Sequence, residues 1–141
     1  MEETPGKINV DKKLKKKKED RLAVGTFNVR TLKSNCELFE LENAFACSKL
    51  KILGLSEVRR KEESIMRTKN DNIFYHSVSN NGQGGVGFLI KPELNGKIIE
   101  ISSVSNRLAK AVIKAERNEV YVIVQVYAPT ASSTEDESDE F

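Results

Sequence analysis

The sequence predicts an α/β layered sandwich, and three observations carry that expectation. Short apolar runs of strand length recur between Leu22 and Pro129. Only one segment, starting near Asn35, repeats apolar residues at helical spacing. Two runs end abruptly in one polar residue: Gly25-Thr26-Phe27 in Asn28, and Leu53-Gly54-Leu55-Ser56 in Glu57. A doubly wound fold needs a helix between most strands. One long helix among seven expected strands argues for a sandwich.

The elements follow in order. Residues 22–27 alternate and stop at Asn28, which suits a first strand. Ser34 to Glu37 reads S-x-x-E, a capping box, so a helix is expected from about Asn35. Leu38, Leu41 and Phe45 form its apolar stripe, with Glu37, Glu40 and Lys49 left for solvent. Residues 52–56 are a short buried run and read as a second strand. Strand, helix and strand make a crossover unit, so the two strands run parallel and end at one edge of the sheet. Asn28 and Glu57 are thereby expected on the same rim.

The remainder is strand-rich. Residues 72–78 and 85–90 read as a hairpin around Ser79-Asn80-Asn81-Gly82-Gln83-Gly84, a run dense in turn residues. Pro92 to Gly96 breaks the pattern. Two further strands are expected over 97–104 and 107–115, and a last one over 119–127. There Val120, Val122, Val124 and Val126 line one face, while Tyr121, Ile123 and Tyr127 line the other with Gln125. A strand apolar on both faces is expected in the centre of a layered structure.

Charge divides the chain into three. Residues 7–18 hold seven lysines against one acid, Asp11, and residues 131–141 hold five acids and no base. The overall charge of +2 conceals both. Residues 1–20 are therefore read as a lysine-rich disordered tail, 21–130 as the folded body and 131–141 as an acidic tail that starts a helix. The basic tail has affinity for polyanions through counterion release, or is a solvated tail without a partner. No apolar run approaches the ~20 residues of a membrane span. No apolar segment follows the N-terminal lysines, so no secretory signal is read and an intracellular chain, nuclear or cytoplasmic, is expected. Cys36 and Cys47 read as reduced thiols. With one histidine elsewhere they are poor zinc ligands.

Glu57 is the strongest candidate for chemistry. An acid directly after a buried strand must be solvated, paired or metal-bound. A hard dication takes one or two carboxylates, keeps several waters and accepts phosphate oxygens. An ion pair with Arg59 or Arg60 explains the position equally well. Asn28 is a common strand-end turn former, and gains weight only by sharing a rim with Glu57. Tyr127 precedes Ala128-Pro129-Thr130, where the proline stops the strand; its phenol reaches the same rim or is a buried hydroxyl with a partner. Gly82-Gln83-Gly84-Gly85-Val86-Gly87 leads into a strand and no Lys-Ser/Thr follows, so a hairpin tip fits better than a phosphate loop. His76, the only histidine, lies inside a predicted strand and reads as structural.

Together these strings resemble a known family. T-F-N-V-R, L-S-E-V-R-R, G-G-V-G-F-L-I, V-S-N-R-L-A and Q-V-Y-A-P-T follow one another as in the first half of the endonuclease/exonuclease/phosphatase superfamily. The resemblance is to the apurinic-type endonuclease domain of RTE-class non-LTR retrotransposons, and it runs from about Arg21 to the end. It implies the N-terminal half of a four-layered α/β sandwich with mixed sheets, DNase I-like, and a Mg2+- or Mn2+-dependent phosphodiesterase acting on DNA. By resemblance Asn28 organises the site, Glu57 binds the metal and Tyr127 lies near the scissile phosphate. Lys33 and Gln83 fall at DNA-contacting positions, and Arg107 matches a recurrent arginine. The family's downstream Asp-x-Asn and Asp-His motifs are absent from the 141 residues. The expectation is therefore a half-domain, marginally folded or aggregation-prone alone and weak or inactive as an enzyme. The alternatives are a non-enzymatic remnant that binds nucleic acid through residues 7–18, and a phosphatase of the same fold.

Overall fold

The computed structural model of the chain describes residues 21–128. The two expected tails, with Pro129 and Thr130, lie outside the described residues. Within them the fold is mixed α/β, with two sheets, one α-helix and a short 3-10 helix. The first sheet holds β1 (Val24–Asn28), β2 (Ile52–Ser56), β3 (Ser64–Arg67), β4 (Ile73–His76) and β5 (Val86–Ile90), in the order β1-β2-β5-β4-β3. The second holds β6 (Ile98–Ser105), β7 (Leu108–Lys114) and β8 (Val120–Val126) as an antiparallel meander. The crossover helix α1 spans Asn35–Ala46, and Pro92–Lys97 forms the 3-10 helix.

The local signals act as expected at α1. Ser34 accepts from the Glu37 N–H at 3.1 Å, and Glu37 accepts from the Ser34 N–H at 3.0 Å, so both arms of the capping box form. These bonds, above all that to the Ser34 backbone, hold the Glu37 carboxyl below its ordinary pKa. The apolar stripe of α1 packs Leu38 and Phe45 on Leu53 and Leu55 of β2, Phe74 of β4 and Leu89 of β5. Glu42 is buried on the same helix, and its carboxylate is held by the Thr68 hydroxyl and, at 2.7 Å, the Asn72 amide.

The opposite face of the first sheet meets the second. Ile52, Val86, Phe88 and Ile90 pack there against Ala109, Ala111 and Ile113 of β7. β2 and β5 are buried along their whole length because both their faces are covered. A large apolar side chain buried this way contributes about 1.5–3 kcal/mol, so this double coverage holds the layers together. The order is helix, sheet, sheet.

Two expectations need correction. The last strand is not central: β8 is an edge of the three-stranded sheet, and Val120, Val122, Val124 and Val126 are about half exposed. Ile123, Gln125 and Tyr127 of its inner face lie against the first sheet, but among the described residues no helix covers the outer face. Among the described residues eight strands form rather than seven. β3 was not legible because Ser64, Ile65 and Arg67 are exposed and only Met66 turns inward, so no apolar alternation marks it. Among the described residues no helix is long and apolar enough to cross a membrane.

Candidate active site

β1 and β2 pair in parallel, and Asn28 sits opposite Ser56 at their common end. The Val29 N–H donates to the Ser56 carbonyl at 3.0 Å, so the chain leaves both strands together. Asn28 and Glu57 therefore share one rim. The Asn28 Oδ1 accepts from the Arg30 N–H at 3.0 Å, which leaves its amide NH2 as a donor.

The backbone beyond both strands is left-handed at non-glycine residues. Arg30 has φ 63°, Glu57 φ 59° and Arg59 φ 63°. Such conformations cost roughly 1–3 kcal/mol each and persist only where the surroundings impose them. Here Val58 is fully buried between Glu57 and Arg59. Its N–H donates to the Gly85 carbonyl at 3.0 Å, and that of Arg59 to the Gly84 carbonyl at 2.9 Å. The glycine-rich turn thus acts as a hairpin tip: Asn80 and Gln83 bond each other, and Gly82, Gly84 and Gly85 all have positive φ. A side chain at Gly85 would stand 3.1 Å from the Arg59 backbone nitrogen.

Tyr127 completes the arrangement from the second sheet. Its N–H donates to the Arg107 carbonyl at 2.9 Å, and its hydroxyl donates to Glu57 Oε1 at 2.9 Å, across 70 residues of sequence. Arg59 Nη2 stands 3.7 Å from the same Oε1. That is an ion pair beyond hydrogen-bond distance. Of the two arginines weighed for Glu57, Arg59 is the one that reaches it. Arg60 instead donates to the Leu32 carbonyl at 2.7 Å and lies over the Phe74 ring. Glu57 keeps a half-buried carboxylate whose Oε2 makes no hydrogen bond among the described residues.

The remaining candidates stand around this core. Lys33 is exposed, and its Nζ lies 3.8 Å from where a side chain at Gly82 would begin, beside the exposed Gln83. Arg107 is half-buried and supports Tyr127 through its backbone. The neighbouring Asn106 carbonyl accepts from the Gly85 N–H at 3.0 Å, tying the second sheet to the turn. His76 is buried; burial lowers its pKa, the leading effect. Cys36 and Cys47 are free and exposed.

Sequence reasoning missed two features. Arg59 has a buried Nε with no hydrogen-bond partner among the described residues, next to the Glu57 carboxylate. Gln125 is buried on the inner face of β8 and accepts from the Thr26 hydroxyl at 3.1 Å. One polar residue in an otherwise aromatic and aliphatic face was its only signal.

No cluster of three or more histidine, cysteine, aspartate or glutamate side chains able to hold a metal exists among the described residues. The fit of a cation rests on Glu57 alone, with Asn28 at the end of the adjacent strand. One carboxylate and several waters satisfy a hard dication of the Mg2+ type but not a fully protein-caged metal. No known family model matches the chain, and no curated protein matches it.

Proposed function

We propose that the rim of Asn28, Glu57 and Tyr127 is part of a divalent-metal phosphodiesterase site of the endonuclease/exonuclease/phosphatase type, acting on DNA. The observation that carries the reading is the hydrogen bond from Tyr127 to Glu57, made beside Asn28 on the adjacent strand end. Glu57 and Tyr127 touch across the two sheets, Asn28 ends the neighbouring strand, and the backbone is left-handed at Arg30, Glu57 and Arg59. The order of layers fits the N-terminal half of a four-layered DNase I-like sandwich.

Glu57 would hold Mg2+ or Mn2+ through its carboxylate, and Tyr127 would orient that carboxylate. The Asn28 amide would donate to a phosphate oxygen. When bound, such an ion polarises the phosphoryl group and offsets charge that develops on it. Lys33, Gln83 and Arg107 flank the rim as contacts for the nucleic-acid backbone. A residue that activates water is not among these, and losing one member of an interdependent set costs orders of magnitude in rate. Turnover by the 141-residue chain is therefore expected to be weak.

The test is Mn2+ binding by electron paramagnetic resonance or calorimetry, with Glu57→Gln as the comparison. Binding weakened at least ~10-fold in the variant supports the reading; equal binding sinks it. Plasmid nicking with Mg2+ is expected to be slight. Robust nicking abolished by Glu57→Ala would correct the expectation of weak turnover while upholding the site.

A second reading rests on the lysine run of residues 7–18. Nucleic-acid binding that is salt-sensitive, survives Glu57→Ala and is lost without residues 1–20 would favour a non-enzymatic binding protein.

A further inference from the structure

The layer of residues directly beneath the rim decides whether Tyr127 can reach Glu57. Thr26 and Gly54 are register partners on β1 and β2, each two residues before Asn28 and Ser56. Gln125 lies two residues before Tyr127, on the same inner face of β8. The three strands thus present one lower layer, Thr26, Gly54 and Gln125, and one upper layer, Asn28, Ser56–Glu57 and Tyr127.

The lower layer is locked by contact and by a hydrogen bond. Gln125 Oε1 accepts from the Thr26 hydroxyl at 3.1 Å. Its amide occupies the space above Gly54, where an added Cβ would stand 2.1 Å from Oε1 and 2.8 Å from Cδ. Glycine at 54 is therefore the condition for Gln125 to lie flat on the first sheet. The other inner-face side chains packed between the sheets are Ile123 and Tyr127, while Tyr121 is 43% exposed. Apolar packing of that kind sets a distance between sheets but does not define one register along the strand. A buried amide with a single partner on the opposite sheet does, because a slip in either direction leaves it without one.

We infer that Gln125 is a positioning residue: through Thr26 and Gly54 it fixes β8 against β1 and β2 so that the Tyr127 hydroxyl meets Glu57 Oε1. It rests on the reading of Glu57 and Tyr127 as one site. The role is specific to the rim, since β8 is held to β7 by its own ladder whatever stands at 125.

The test reads the Tyr127 hydrogen bond directly, in the full chain. With tyrosine labelled at the ring carbon that bears the hydroxyl, Tyr127→Phe assigns the Tyr127 resonance, and Glu57→Ala, which leaves no side-chain acceptor, defines its position once the hydrogen bond is lost. Thr26→Val removes only the donor to Gln125, and Gln125→Leu removes the amide. Both are expected to move the Tyr127 resonance to the position seen in Glu57→Ala. Gly54→Ala, which displaces the amide without deleting it, is expected to do the same. Added to Gln125→Ala, Gly54→Ala is expected to cause no further movement, since the pair is coupled. Ile113→Val, in the core between the sheets, controls for general destabilisation and should leave the resonance in place. An unmoved Tyr127 resonance in folded Thr26→Val and Gln125→Leu overturns the inference, as does an equal movement in Ile113→Val. Because no metal or nuclease readout enters, failure here is distinct from failure of Mn2+ binding.

Discussion

At the scale of single residues, position in the strand matters more than residue type. Asn28, Glu57 and Tyr127 were legible because each ends an apolar run, and a run that ends in a polar group delivers it to a sheet edge. Arg59 was legible only as a charge beside an acid. Its left-handed backbone is imposed by buried Val58 and by the Gly84 and Gly85 carbonyls, which come from a distant turn. His76 gives a prediction at this scale. Burial, partly opposed by a contact with the Ser77 carbonyl, holds its imidazole below its ordinary value of about 6.5. The folded state keeps it neutral, while the unfolded chain takes up a proton as pH falls below that value. Its contribution is therefore fully present above pH ~6.5 and is lost as pH falls through the folded pKa, with a slope of at most ~1.4 kcal/mol per pH unit. Chemical denaturation between pH 7 and 5 should show this slope in the parent chain and its loss in His76→Gln.

At the scale of elements, the strongest signals are those that close within a few residues. The Ser34–Glu37 box predicts the start of α1, and the helix begins at Asn35. Ser34→Ala should lower stability by about 1 kcal/mol, as for other N-caps, measured by thermal or urea unfolding. Replacing Glu37 by glutamine should cost less, because its side chain is half-exposed and an amide oxygen can still accept the Ser34 N–H. The buried Glu42 was not legible from periodicity. Its partners Thr68 and Asn72 come from the β3–β4 turn, so only the assembled layers supply them. β3 escaped notice for a related reason: a short edge strand needs no apolar alternation when most of its side chains face water.

At the scale of the whole molecule, β8 is the exposed flank. Tyr127 donates to the Arg107 carbonyl, just before β7, and the Glu119 carbonyl accepts from the Ala115 N–H, just after it. The odd-numbered residues of this strand therefore turn their backbone groups toward β7. Those of Val120, Val122, Val124 and Val126 turn toward the open edge. β6, at the other edge, is protected by register irregularities and by Glu100. β8 has neither a charge nor a bulge along its length, the combination that favours edge-to-edge association. The chain is expected to self-associate at micromolar to millimolar concentration, and Val122→Lys to reduce this with little loss of stability. Sedimentation over a concentration series checks it; a monomer throughout, or a variant that associates equally, contradicts it.

The sequence by itself determined the strand–helix–strand unit, the hairpin tip and the shared rim of Asn28 and Glu57. Each depends on turn chemistry, capping or the handedness of a short crossover, all local in the chain. Only the tertiary structure decided that β8 is an edge, that Tyr127 touches Glu57 and that Gln125 lies over Gly54. These depend on which sheet face meets which, and the sequence of one strand carries no record of the strand stacked above it. The alternation of β8 showed two apolar faces, but burial is a property of what covers a face, and here the first sheet covers only one.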